Sequence, residues 1–247
     1  KNDKYLIEWL RLLHTYGFAI VKNSPTRKKS GFKILNRFSH HRETFFGTPF
    51  EVINIPKPNN TAYTAQALRN HTDLPYFEYA PGYQFLHCLI NDAKGGKSSV
   101  VDGFAVANFL RKKEKEVFKI LTNTYVKFKD TDYTQKAVRI LHSPIITLTK
   151  DKDFNDIRFS MAAMGAIDIN PSKMKKFYDA YQLFASLLQN NKFKINFRLE
   201  AGDIFCFNNR RLLHGRTEFD PNSGHRHLQG YYMDRDEIIG RLNYLKK

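Results

Sequence analysis

Two histidines and one aspartate carry the sharpest chemistry in this chain. His71 and Asp73 stand in Arg69-Asn70-His71-Thr72-Asp73-Leu74-Pro75, and His214 stands in Leu212-Leu213-His214-Gly215-Arg216. Two imidazoles and one carboxylate on one face of an ion form the facial triad of non-haem Fe(II) centres, with positions left open. That set suits an ion that must hold a co-substrate and dioxygen together. Residues two apart on a strand point the same way, so one strand would let His71 and Asp73 grip a single ion. His214 follows 143 residues later (214 − 71), so the sheet must fold back on itself to deliver it. A His-x-Asp triplet is a weak signal in a chain with 9 histidines, His87 among them. Arg226, in Gly224-His225-Arg226-His227-Leu228, sharpens it. A guanidinium there can pair two-pronged with the far carboxylate of a dicarboxylic acid.

The elements that must position these residues are mostly short strands. The chain opens with an amphipathic helix over residues 4–16, with Asp3 as a cap and Leu6, Trp9, Leu10 and Leu13 on one stripe. A strand over 18–21 follows Gly17. Further helices are predicted over 104–121 and over 171–188, the latter with proline near its start. Strands are predicted over 83–89 and 99–101, either side of a Gly95-Gly96 turn. Others fall over 137–141, 145–149, 157–161, 195–199, 204–207, 211–214 and 227–233. Many short strands with turn signals, and a few helices packed outside, predict a mainly β fold with flanking helices. A double-stranded β-helix of the jelly-roll class, whose mouth can hold a metal, fits best.

At 247 residues the chain reads as one domain over 1–247, with no repeat, low-complexity segment or linker. An apolar content of 42% and an aromatic content of 14% exclude disorder. No apolar run reaches the ~18 residues of a membrane span. The N-terminus begins without Met and has no signal-peptide pattern, and the two cysteines, Cys88 and Cys206, read as unpaired thiols of a cytoplasmic protein. The net charge of +16 is spread in short runs such as Arg27-Lys28-Lys29 and Arg111-Lys112-Lys113. It reads as a solvated basic surface that attracts small anions, not as a nucleic-acid groove.

With these residues in view, the chain resembles the γ-butyrobetaine dioxygenases and their kin, the trimethyllysine dioxygenases, within the taurine-dioxygenase-like superfamily. The likeness rests on Asn60-Thr61-Ala62-Tyr63-Thr64, His71-Thr72-Asp73-Leu74-Pro75, Gln84-Phe85-Leu86-His87-Cys88, Gly95-Gly96, Val101-Asp102-Gly103-Phe104 and Asn208 to Arg216. It implies Fe(II) on His71, Asp73 and His214, with 2-oxoglutarate and O2 as co-substrates and ascorbate as a stimulant. The far carboxylate of 2-oxoglutarate would pair with Arg226, with Ser98 donating a hydrogen bond to it. Arg216 either assists Arg226 or makes a structural ion pair. The small N-terminal zinc-binding domain of eukaryotic members is not expected here.

The implied substrate is a small quaternary amine, with γ-butyrobetaine converted to L-carnitine as the leading reaction. Trimethyllysine and a trimethylaminoethylphosphonate are alternatives, and a nucleic-acid demethylase is the alternative from another class. Such a cation cannot hydrogen-bond and is held by aromatic faces. By position these are Phe46, Phe50, Tyr63 and Tyr232, where the family commonly shows Tyr and Trp in place of the two phenylalanines. Asn60 matches one asparagine that binds the substrate's carboxylate. A second is lost in Arg158-Phe159-Ser160-Met161-Ala162-Ala163-Met164-Gly165. Family members are commonly homodimers, and a helix after Asp234 is a candidate contact; no membrane partner is expected.

Overall fold

Alternation of apolar side chains builds two facing antiparallel sheets, in a computed structural model that describes residues 3–55 and 61–247. The N-terminal part runs α1 (Asp3–Tyr16), β1 (Phe18–Val21), α2 (Phe32–Leu35) and β2 (Phe50–Ile53). A 3-10 turn (Thr61–Tyr63) leads to β3 (Leu68–His71), β4 (Tyr83–Asn91) and β5 (Ser98–Asp102). Next come α3 (Gly103–Lys113), α4 (Lys115–Asn123), and the hairpins β6 (Val126–Asp132) with β7 (Ala137–Ser143) and β8 (Ile146–Leu148) with β9 (Phe154–Ile157). The chain continues through α5 (Pro171–Leu187), β10 (Lys194–Phe197), β11 (Ile204–Asn208), β12 (Leu212–Arg216), β13 (Arg226–Met233) and α6 (Arg235–Leu245).

The five-stranded sheet has the order β1-β11-β4-β13-β2 and the four-stranded sheet the order β10-β5-β12-β3. Every pairing in both is antiparallel. This is the double-stranded β-helix expected from the strand pattern. Side chains of period two sort into layers. Leu212 of β12, Val100 of β5, Cys88 of β4 and Leu228 of β13 meet between the sheets. Their neighbours Leu213 and Val101 face outward against α3, α4 and α5. Phe85, Tyr231 and Met233 pack outward against α1 and α6. His214 therefore shares the inner face with Leu212, and Arg226 and Tyr232 share it with Leu228.

Two expectations fail locally. The helix over 104–121 breaks in two at Glu114, whose backbone leaves helical space (φ −130°, ψ 61°). The strand over 157–161 lies instead at Phe154–Ile157. Its expected latter half hydrogen-bonds to the metal-ligand loop, with Thr72 N donating to Phe159 O at 2.8 Å. Among the described residues, no helix is long and apolar enough to cross a membrane.

Candidate metal centre and substrate cavity

His71 ends β3 and lies directly across from His214 of β12 in the antiparallel register. Their rings sit 4.4 Å apart between centroids. Close approach of these strands depends on Gly215, because a Cβ there would fall 2.6 Å from both Leu68 O and Asn70 Oδ1. Asp73 does not ride the same strand as His71, contrary to the simple alternation rule. The strand stops at His71, and the chain turns just beyond Asp73, at Leu74 with φ +53°. Leu74 tolerates that left-handed backbone because its side chain is buried against Phe50 and Tyr232. Asp73 Oδ1 then lies 3.3 Å from His71 Nε2 and 3.8 Å from His214 Nε2. One ligand atom from each of the three residues falls within 4.8 Å of the others, close enough to share one ion.

The surroundings hold the donors in a ligating state. Arg69 O accepts a hydrogen bond from His71 Nδ1 at 2.8 Å, which fixes the proton there and leaves the Nε2 lone pair facing the site. Tyr232 donates its hydroxyl to Asp73 Oδ2 at 2.6 Å. Asn209 accepts from Asp73 N at 2.8 Å and donates to Asp73 O at 3.1 Å, clamping the ligand's own peptide groups. Burial favours a neutral Asp73, but His214, His71 and the Tyr232 hydroxyl outweigh it and hold the carboxyl below its usual range. Burial, reinforced by His71, pushes His214 down to about 3. Burial would also lower His71, yet its bond to Asp73, that charge and the Arg69 carbonyl raise it. One carboxylate lies beside two imidazoles, and His214 Nδ1 is buried with no hydrogen-bond partner among the described residues. A divalent cation fits this donor set: two imidazole nitrogens and an ionised carboxylate converge on one point.

Two arginines close the far side of the same cavity. Arg216 is buried and Arg226 half-buried, and neither forms an ion pair among the described residues. Arg216 donates to Thr64 O and Gln66 O, both at 2.7 Å, so it pins a loop and makes no structural ion pair. Arg226 has an unpartnered buried Nε. Burial lowers Arg226 to about 10, and burial together with Arg226 lowers Arg216 to about 9. Phe219 lies 5.7 Å and 4.9 Å from the two guanidinium groups. Gly96, at φ +64°, leaves room for Arg226, since a Cβ there would meet its Nε at 3.1 Å. Ser98, which starts β5, lines the same cavity.

The cavity encloses about 400 Å³. Phe46, Phe50, Tyr63 and Tyr232 all line it beside the triad. Phe50 stacks on Tyr232 with centroids 5.0 Å apart, and Phe46 lies 6.2 Å from Phe50. Burial raises Tyr63 and, far more, Tyr232, whose hydroxyl also faces Asp73, so both phenols stay neutral. Asn60 lies outside the described residues. Residues 1–232 match the model of the taurine catabolism dioxygenase TauD, TfdA family. The chain belongs to that family.

Within it, the chain is 38% identical over its whole length to γ-butyrobetaine dioxygenase of Pseudomonas sp. strain AK-1, covering 64% of that protein. It is 33% identical to the human γ-butyrobetaine dioxygenase, covering all of this chain and 65% of that one. It is 28% identical to trimethyllysine dioxygenase of Meyerozyma guilliermondii, covering 99% of this chain and 61% of that one. The chain thus spans somewhat less than two thirds of the length of these relatives. An asparagine oxygenase solved with Fe(II), hydroxyasparagine and succinate superposes with a TM-score of 0.71 at 16% identity, over 93% of this chain and 79% of that one. That likeness shows the fold.

Several contributors escaped sequence reading. Asn209 is a buried polar residue next to a strand end, and nothing in its spacing marks it as a partner of Asp73. The Tyr232 hydroxyl was expected only as part of an aromatic face. Tyr76, Lys129, Asp130 and Ser160 also line the cavity, brought there by loops and by β6, a strand that the sequence reading did not predict.

Proposed function

We propose that this chain carries the catalytic centre of an Fe(II)- and 2-oxoglutarate-dependent hydroxylase acting on a small trimethylammonium compound, with γ-butyrobetaine the leading substrate. One observation carries the reading: a single cavity unites the His71–Asp73–His214 set, two arginines with no carboxylate partner among the described residues, and four aromatic side chains. His71, Asp73 and His214 would hold the iron. Arg226, with Ser98 nearby, would hold the far carboxylate of 2-oxoglutarate. Bound iron with 2-oxoglutarate and O2 supplies hydroxylation of an unactivated C–H bond, releasing succinate and carbon dioxide.

The chain's own residues do the positioning. Tyr232 fixes the Asp73 oxygen that faces away from the histidines, and its ring, backed by Phe50, presents a face to the cavity. Phe46 and Tyr63 complete a wall suited to a trimethylammonium group, which draws on ring quadrupoles instead of hydrogen bonds. Held there, the cation fixes which C–H bond lies nearest the metal centre. The two phenylalanines have weaker faces than tryptophan, so cation affinity rests more on Tyr63 and Tyr232. The test is turnover of anaerobically reconstituted protein with Fe(II), 2-oxoglutarate, air and γ-butyrobetaine, followed by proton NMR. Succinate and hydroxylated product in equal amounts support the reading. No succinate with any trimethylammonium compound, while iron is bound, overturns it.

A further inference from the structure

One wall of the cavity has lost the polar group expected of it and gained another. Ala162 and Ala163 stand there with no polar side chain, and Ser160 and Lys129 line the cavity beside them. The backbone fixes this neighbourhood: Lys129 N donates to Ala163 O at 2.7 Å, and Gly165 N donates to Lys127 O at 2.8 Å. Phe128, between the two lysines of β6, is buried in the core below. Lys129 therefore lies at the exposed rim with a four-carbon stem long enough to reach inward. Its ammonium forms no ion pair or hydrogen bond among the described residues. The adjacent Asp130 is already matched, because Arg139 of β7 donates to it at 3.0 Å. The trio Lys129, Asp130 and Arg139 thus leaves one uncompensated positive charge at the rim.

We propose that Lys129, with the Ser160 hydroxyl, holds the anionic head of the substrate, and so selects trimethylammonium compounds that end in a carboxylate or phosphonate and carry no second cation. This deepens the hydroxylase reading and rests on it. A trimethylated amino acid would bring its α-ammonium toward Lys129, while the neighbouring Asp130 already pairs with Arg139. The aromatic wall binds the cation end of every candidate alike; the rim decides among them by the other end.

The test compares wild type, Lys129→Met and Lys129→Arg, loaded with metal and 2-oxoglutarate under anaerobic conditions. Calorimetry gives dissociation constants for γ-butyrobetaine, a trimethylaminoalkyl phosphonate, butyltrimethylammonium and trimethyllysine. A charge-assisted contact predicts that wild type prefers γ-butyrobetaine over butyltrimethylammonium by about tenfold or more. That preference collapses toward unity in Lys129→Met and returns in Lys129→Arg, while comparison of carboxylate with phosphonate identifies the head group. An unchanged preference in Lys129→Met, or tighter wild-type binding of trimethyllysine than of γ-butyrobetaine, overturns the role of Lys129 while the hydroxylase reading stands. Failure of wild type to bind any trimethylammonium compound removes both.

Discussion

Replacing Tyr232 with phenylalanine separates two jobs done by one side chain. Its ring stacks on Phe50 at 5.0 Å and lines the cavity, and its hydroxyl donates to Asp73 Oδ2 at 2.6 Å. The variant keeps the ring and loses only the hydroxyl. Tyr232 is 3% exposed, so water does not readily replace the lost donor. A hydrogen bond to a charged acceptor contributes about 1.5–3 kcal/mol, and each ~1.4 kcal/mol is tenfold in an equilibrium constant. Metal affinity should therefore fall about 10- to 100-fold, the range typical when a partner of a metal ligand is removed. The affinity for a trimethylammonium substrate, measured with metal held saturating, should change by less than about threefold, since the aromatic face is retained. Anaerobic titration of Fe(II), alongside substrate titration in the metal-saturated protein, measures both. Unchanged metal affinity together with a large loss of substrate affinity would refute the division of labour.

Other consequences are equally specific. Arg226→Met removes the half-buried guanidinium and should raise the KM for 2-oxoglutarate at least about thirtyfold, as expected from ~2 kcal/mol or more for a desolvated, hydrogen-bonded charge pair; an unchanged KM places the dicarboxylate elsewhere. Asn209→Ala deletes bonds of 2.8, 3.1 and 3.2 Å from a residue that is 1% exposed. Urea unfolding should show a loss of about 2–4 kcal/mol, much of it from the unpaired Asp73 peptide group. Metal binding should also depend on pH with a definite sign. Asp73 raises His71 in the metal-free protein, and an ion must displace that proton. Affinity is then full above the raised pKa and declines about tenfold per pH unit below it; a flat profile across that range contradicts the assignment of His71 as a ligand.

The chemistry was legible in the sequence because it is carried by residue types that have few other uses in combination. His71, Asp73, His214 and Arg226 stand at spacings that only a folded-back sheet can reconcile, and period-two alternation then puts His214, Arg226 and Tyr232 on one inner face. What the sequence could not convey is where alternation stops. Asp73 lies beyond the end of its strand, next to a left-handed residue, Leu74, whose side chain packs on Phe50 and Tyr232 from distant segments. Asn209 shows the same limit: its partners Asp73 and Pro81 are 136 and 128 residues away in sequence and are chosen by tertiary contact alone. The break at Glu114 illustrates it once more, since one apolar stripe continues across two helices that need only pack on the same core. Phe46 and Lys129 reach the cavity on segments with weak local signals, so the substrate end was less readable than the metal end.

The central claim is that one cavity holds the metal, the dicarboxylate and the trimethylammonium group at once. A crystal structure of the protein with manganese(II) in place of iron, 2-oxoglutarate and γ-butyrobetaine, grown without oxygen, tests it most directly. The account predicts the ion on His71, Asp73 and His214, the far carboxylate of 2-oxoglutarate on Arg226, and the trimethylammonium group between Phe46, Phe50, Tyr63 and Tyr232. An ion bound elsewhere, or a substrate whose cation lies away from those four rings, would contradict it.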